Sequence, residues 1–150
     1  MAVIDTNKLK KPFINDRDES VNIGIDLPFR IGEKGEGWGA ASQTTLEAVA
    51  NNVKNLVSTE LGERLHQPNL GVALKKYLFE PFNQDLIDGV STSILEAVNY
   101  WLPFVSIESI DVRMSDNTSH DYRNVLLVSV AFHLKKDPTT TESVQIKIGE

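Results

Sequence analysis

From Val21 the chain alternates, with Val21, Ile23, Ile25 and Leu27 on one face and Asn22, Gly24 and Asp26 on the other. A period of two predicts a half-buried strand, and Pro28 ends it. The preceding residues, 1–20, are polar and unpatterned, with Lys8, Lys10, Lys11, Asp16, Arg17, Asp18 and Glu19 among them. They read as an arm that orders on a partner, if at all, and residues 21–150 as one domain. Between Gly32 and Gly39 four glycines flank Glu33, Lys34, Glu36 and Trp38. That composition predicts a loop, and its order matches neither GxxxxGK[ST] nor GxGxxG, so it does not read as a phosphate cradle. Trp38 is either an anchor for a partner or an indole tucked onto its own core.

The period then changes to that of a helix. Thr44 and Glu47 have capping-box spacing, and Leu46, Val49, Ala50, Val53, Leu56 and Val57 follow at i, i+3, i+4, i+7, with Asn51, Asn52, Lys54 and Asn55 mostly off that stripe. Gly62, Pro68 and Gly71 interrupt, after which Val72, Leu74, Leu78 and Phe79 predict a short helix with Lys75 and Lys76 outward. Asn83 caps a longer helix whose apolar positions are Leu86, Ile87, Val90, Ile94, Ala97, Val98 and Trp101, and Pro103 stops it. Tyr100, Trp101 and Phe104 serve either core packing at that helix end or an exposed binding role.

The remainder alternates again. Ile110, Val112 and Met114 share a face, but the parity breaks between Ile107 and Ile110, which predicts a bulge. Ser115-Asp116-Asn117-Thr118 forms a turn, and Leu126, Val128, Val130, Phe132 and Leu134 form the next strand. After Lys135-Lys136-Asp137-Pro138, Val144, Ile146 and Ile148 alternate with Ser143, Gln145 and Lys147. The expectation is an α+β fold: a C-terminal three-strand antiparallel meander, with the N-terminal strand available to join it, packed with two main helices and one short one.

Composition narrows the function. A net charge of -6 and a pI near 5.1 argue against nucleic acid and anionic membranes as partners, since both call for clustered Lys and Arg. No apolar run approaches the ~20 residues that span a bilayer. The chain has no cysteine, so neither disulfides nor thiolate metal sites hold it.

Candidate chemistry is sparse. His66, His120 and His133 fall in different elements without metal-ligand spacing, and no GxSxG frames a nucleophile. The sequence therefore predicts no metal, no cofactor and no catalytic residue. Two carboxylates at the right separation suffice for a glycosidase, and Glu63 and Glu80 are the best-placed pair for a murein hydrolase. Arg64 beside Glu63 favours its ionised form and opposes service as a general acid, so a salt bridge or backbone hydrogen bond is the simpler role. Glu80, between Phe79 and Pro81 where a helix gives way, likewise reads as structural.

One ordered series stands out: Ile23-Gly24-Ile25-Asp26-Leu27-Pro28-Phe29, then a helix ending Asn55-Leu56-Val57-Ser58-Thr59, then Gly62-Glu63-Arg64 with Pro68, Asn69 and Gly71, then Leu78-Phe79-Glu80-Pro81. In order and spacing it resembles the gene-product-twenty-five-like family of baseplate wedge proteins, which includes the W protein of contractile phages and a type VI secretion baseplate subunit. The resemblance runs from about Val21 to the C-terminus. It implies a structural subunit of a virion tail baseplate, assembled in the host cytoplasm, that joins the helices of a large wedge protein to the first sheath ring. It implies as partners that wedge protein, the sheath subunit and central hub or tube-initiator proteins. The family carries Glu-Pro-Arg after the long helix, a motif associated with docking on the wedge core. Here Tyr100-Trp101-Leu102-Pro103-Phe104 keeps only the proline, so an apolar contact is expected in its place. Members are often labelled lysozyme, a reading these residues support little. The strand Val144, Gln145, Ile146, Lys147 and Ile148, last in the meander, is the expected edge for strand addition from the sheath.

Overall fold

The computed structural model describes residues 22–26, 31, 39–42, 44–114 and 125–149. The N-terminal arm, Val21, Leu27, Pro28, Trp38 with the glycine loop before it, the Ser115–Thr118 turn and His120 lie outside the described residues.

Both long helices begin where their caps predict. Thr44 Oγ1 accepts the Glu47 N–H at 3.3 Å and opens α1 (Thr45–Ser58). Asn83 Oδ1 accepts the Leu86 N–H at 2.9 Å and opens α2 (Gln84–Trp101). Each cap satisfies a backbone donor that the first turn leaves free, worth about 1 kcal/mol. The apolar stripes face inward: Val49, Val53, Leu56 and Val57 from α1, and Leu86, Val90, Ile94 and Val98 from α2, are buried in one core cluster.

The C-terminal half forms the expected meander, β3 (Val105–Met114), β4 (Leu126–Leu134) and β5 (Asp137–Ile148), antiparallel in the order β3-β4-β5. Its register shifts between Ile107 and Ser109, where the sequence parity broke. Leu126, Val128, Val130, Phe132 and Leu134 put one face of β4 into the core, joined by Val144, Ile146 and Ile148 of β5. Such side chains are worth roughly 1.5–3 kcal/mol each when fully buried, which makes this face the main apolar contribution of the sheet. The helices cover this side, α1 mostly over β5 and α2 over β3.

Two elements depart from expectation. The N-terminal strand does not join the meander; β1 (Gly24–Ile25) pairs with β2 (Ala41–Ser42) in a separate antiparallel ribbon. Its apolar face is also turned outward, with Ile23 at 47% and Ile25 at 66% exposure. The reason lies on the opposite face. A Cβ on Gly24 would meet the Ala48 Cβ at 3.2 Å, so the glycine lets the ribbon lie close against α1. Asn51 of α1, which the helical stripe left out, is buried and donates to Ser42 Oγ at 2.8 Å and to Asp26 Oδ1 at 3.4 Å. Satisfying those buried polar groups fixes the ribbon's inner face as the polar one.

The predicted short helix is a 3-10 turn, Lys75–Phe79, with Val72 and Leu74 buried just before it and Phe79 88% exposed at its end. Tyr77 anchors it: the hydroxyl lies 3.1 Å from Ser93 Oγ of α2, and the ring packs where Gly89 has no side chain. Lys76 Nζ stands 4.6 Å from the Tyr77 ring centroid.

Candidate functional site

Three surfaces collect the residues singled out by the sequence. The first is the corner after α2. The Leu102 N–H closes the helix on the Val98 carbonyl at 2.8 Å, and Val105 N–H turns the chain back onto the Leu102 carbonyl at 2.9 Å. The β4–β5 hairpin holds the corner from outside: Lys135 donates its backbone N–H to the Phe104 carbonyl at 3.0 Å and its Nζ to the Pro103 carbonyl at 2.5 Å. Trp101 and Leu102 are partly buried against the core, and Tyr100 meets Trp101 edge-to-face with centroids 5.1 Å apart. Tyr100 itself is 76% exposed and Phe104 46%. Phe104 lines a groove of about 370 Å³ with Thr45, Val49, Leu134, Lys135 and Lys136, while Trp101 and Leu102 line a smaller one of about 150 Å³ against α1. The two lysines are neighbours that sequence reading missed, because only the sheet brings a hairpin thirty residues away to this corner.

The second surface is the loop between α1 and the 3-10 turn, which gathers Gly62, Glu63, Arg64, Pro68 and Gly71 into one hydrogen-bonded unit. Gly62 N–H donates to the Pro68 carbonyl at 2.8 Å, Val72 N–H to the Thr59 carbonyl at 2.8 Å, and Arg64 Nη2 to Asn55 Oδ1 at 2.9 Å. Glu63 Oε2 accepts the Glu60 N–H at 3.0 Å, and Glu60 Oε1 accepts the Lys75 N–H at 2.9 Å. Carboxylates placed this way satisfy backbone donors in turns that lack helical partners. Phe79, Glu80 and Pro81 sit apart, exposed at the far end of the 3-10 turn, where Glu80 N–H caps the Tyr77 carbonyl at 3.2 Å. Glu63 and Glu80 are thus placed in separate turns, both exposed to water.

The third surface is the meander itself. Val144, Ile146 and Ile148 point into the core, Gln145 and Lys147 point out, and β5 pairs with β4 on one side only among the described strands. A groove of about 410 Å³ runs beside its C-terminal half. The open face of the sheet carries Glu108, the residue at the bulge, whose carboxylate meets His133 Nδ1 at 3.0 Å and Thr141 Oγ1 at 3.1 Å. The bulge thereby turns a third-strand carboxylate toward both neighbours, tying β3, β4 and β5 together on the solvent side. Among the described residues no cluster of three or more His, Asp or Glu is arranged to hold a metal ion, and no helix is long and apolar enough to cross a membrane.

Solved structures share this fold. One is a crystal structure of a Geobacter sulfurreducens protein named as a candidate tail lysozyme, 18% identical, covering 73% of this chain and 95% of that one with a TM-score of 0.59. A chain of the anti-feeding prophage baseplate is 18% identical over 73% of this chain and 82% of its own, with a TM-score of 0.58. A chain of the baseplate complex from the type VI secretion system is 14% identical over 69% and 92%, with a TM-score of 0.51. None of the curated proteins matches the chain. The model of the family described as Baseplate wedge protein gp25 matches residues 43–139, more than half of the sequence, running from the cap of α1 through both helices and into β5. By that match, and with a fold in common with baseplate subunits of contractile injection systems, the chain belongs to the baseplate wedge protein gp25 family.

Proposed function

We propose that this protein is a structural subunit that joins the wedge core of a contractile-tail baseplate to the first sheath ring and templates the sheath by strand addition on β5. The observation that carries the reading is the position of β5, an outer strand of the meander anchored by Val144, Ile146 and Ile148 and paired on one side only among the described strands. An edge of this kind offers a row of N–H and C=O groups that an extended segment completes, while buried alternate side chains fix the register. The second contact is the corner Tyr100, Trp101, Leu102, Pro103 and Phe104, which docks on helices of the large wedge protein through apolar area. Exposed Tyr100, and exposed Phe104 at a groove it lines with Val49 and Leu134, support that assignment. Central hub or tube-initiator proteins complete the set of neighbours, in the virion or an equivalent particle put together in the host cytoplasm. The function is docking, and no residue is assigned to catalysis.

The test uses the backbone direction of a strand. Successive residues of an antiparallel strand send their N–H groups to opposite sides, so Glu142 and Gln145 differ in sense, one facing β4 and the other facing outward. Proline at the inward position removes a ladder hydrogen bond and destabilises the domain. Proline at the outward position leaves a folded protein that enters baseplates but does not start a sheath. Sheaths of normal length on baseplates carrying the folded variant, seen by electron microscopy, would move the attachment to another element.

A further inference from the structure

The groove beside β5 constrains which strand this edge accepts. Ile146 and Ile148 face the helices and Lys147 faces the other side of the sheet, yet all three line the groove with Gly149. No β4 residue lines it, so it opens onto the outer backbone edge of β5. Its opposite wall is the end of α1, Val57 and Ser58, followed by Glu60, Leu74, Lys75 and Leu78. Val57 and Leu74 belong to the buried core, so the floor of the groove is the core itself. The Glu60 carboxylate on the rim is already engaged by the Lys75 N–H. No buried side-chain nitrogen or oxygen among the described residues lacks a partner.

From this geometry we propose that the segment added to β5 is an extended strand of the sheath subunit carrying one large apolar side chain that seats in this groove. The inference rests on the reading of β5 as the accepting edge and adds what that edge selects. The unpaired backbone row demands an extended occupant, and in such an occupant every second side chain turns to the helix side of the sheet. The one opposite Ile146–Ile148 meets the floor of Val57, Leu74 and Leu78, while Ser58, Glu60 and Lys75 stand on the rim within reach of water, so a large apolar side chain gains burial there and a charged or amide one would lose water over that floor. A leucine- or phenylalanine-sized group fits within this space and fixes the register of the incoming strand, because a slip of one residue would swing it to the opposite face.

The chain's lack of cysteine gives a direct test. Ser58→Cys, at the exposed last residue of α1, introduces a single thiol into the groove wall without touching the backbone edge. The purified, folded variant is labelled alone, either with a bulky pyrenyl maleimide or with iodoacetamide as the small control, then assembled into baseplates and supplied with sheath subunits. The expected result is that the bulky label lowers the yield of sheathed particles by about tenfold or more, as loss of one buried leucine-sized contact implies, while the small label leaves it unchanged. A second expectation is that Ser58→Trp is suppressed by sheath-subunit changes that replace one large apolar residue with alanine or glycine. Normal sheath yield with the bulky label, alongside a separate outward-proline variant that does block sheath formation, would overturn the groove and leave the edge standing. Normal yield with both would overturn the edge as well.

Discussion

Gly71 lies so close to the Thr59 carbonyl that a Cβ built on it would stand 2.3 Å from that oxygen, at a φ of 126°. The same oxygen receives the Val72 N–H at 2.8 Å, so the glycine and the hydrogen bond that closes the loop depend on one another. Gly71→Ala is therefore expected to lower stability by about 2–4 kcal/mol, through both a strained backbone and a displaced hydrogen bond. Gly62→Ala, at a φ of 85° but with nothing within 4 Å, should cost only about 1 kcal/mol. Urea unfolding midpoints at a constant slope separate the two, and equal losses would mean the close approach has no part in stability.

The ribbon should come loose when its polar link is cut. In Asn51→Ala, the fully buried Ser42 loses its donor, at an expected cost of about 1–3 kcal/mol. The Ile23 and Asp26 amides, bonded to the Ser42 and Ala40 carbonyls, should exchange faster with solvent while the amides of β4 keep their protection. Unchanged exchange at those two amides would assign the attachment to Gly24 and Ala48 packing instead.

Glu63 is expected to matter to the loop and not to turnover. Glu63→Gln keeps an oxygen that accepts the Glu60 N–H, so the protein should unfold within about 0.5 kcal/mol of the parent. Any murein-degrading activity of pure protein should be the same in both. A large fall in turnover with the fold intact would make Glu63 catalytic and reverse the assignment of this subunit to docking alone.

Phe104 tests the corner. Phe104→Asp removes the ring that lines the groove at this corner, and losing its apolar burial against the wedge protein should weaken co-purification roughly thirtyfold, about 2 kcal/mol. Phe104 is half exposed in the free protein, so its own fold should be little affected. Binding equal to the parent's, by a folded variant, would exclude the corner as the interface.

Local rules settle the two long helices, the meander and the bulge. Thr44 and Asn83 are caps because a helix start leaves N–H groups free, Val90, Ile94 and Val98 are buried because 3.6 residues make a turn, and the parity break before Ile110 is a bulge because a strand has period two. The order of the motifs likewise carried the family. What the sequence left open depends on contacts between distant residues. The alternation at Ile23 and Ile25 is a correct strand signal, but which face turns inward was decided by Gly24 against Ala48 and by Asn51 reaching Ser42 and Asp26, residues up to 25 positions apart. The loop at Gly71, the lysines beside Phe104 and the groove along β5 arise in the same way, from elements that meet only once the core has formed. Periodicity reports which side of an element is apolar; only packing decides what that side meets.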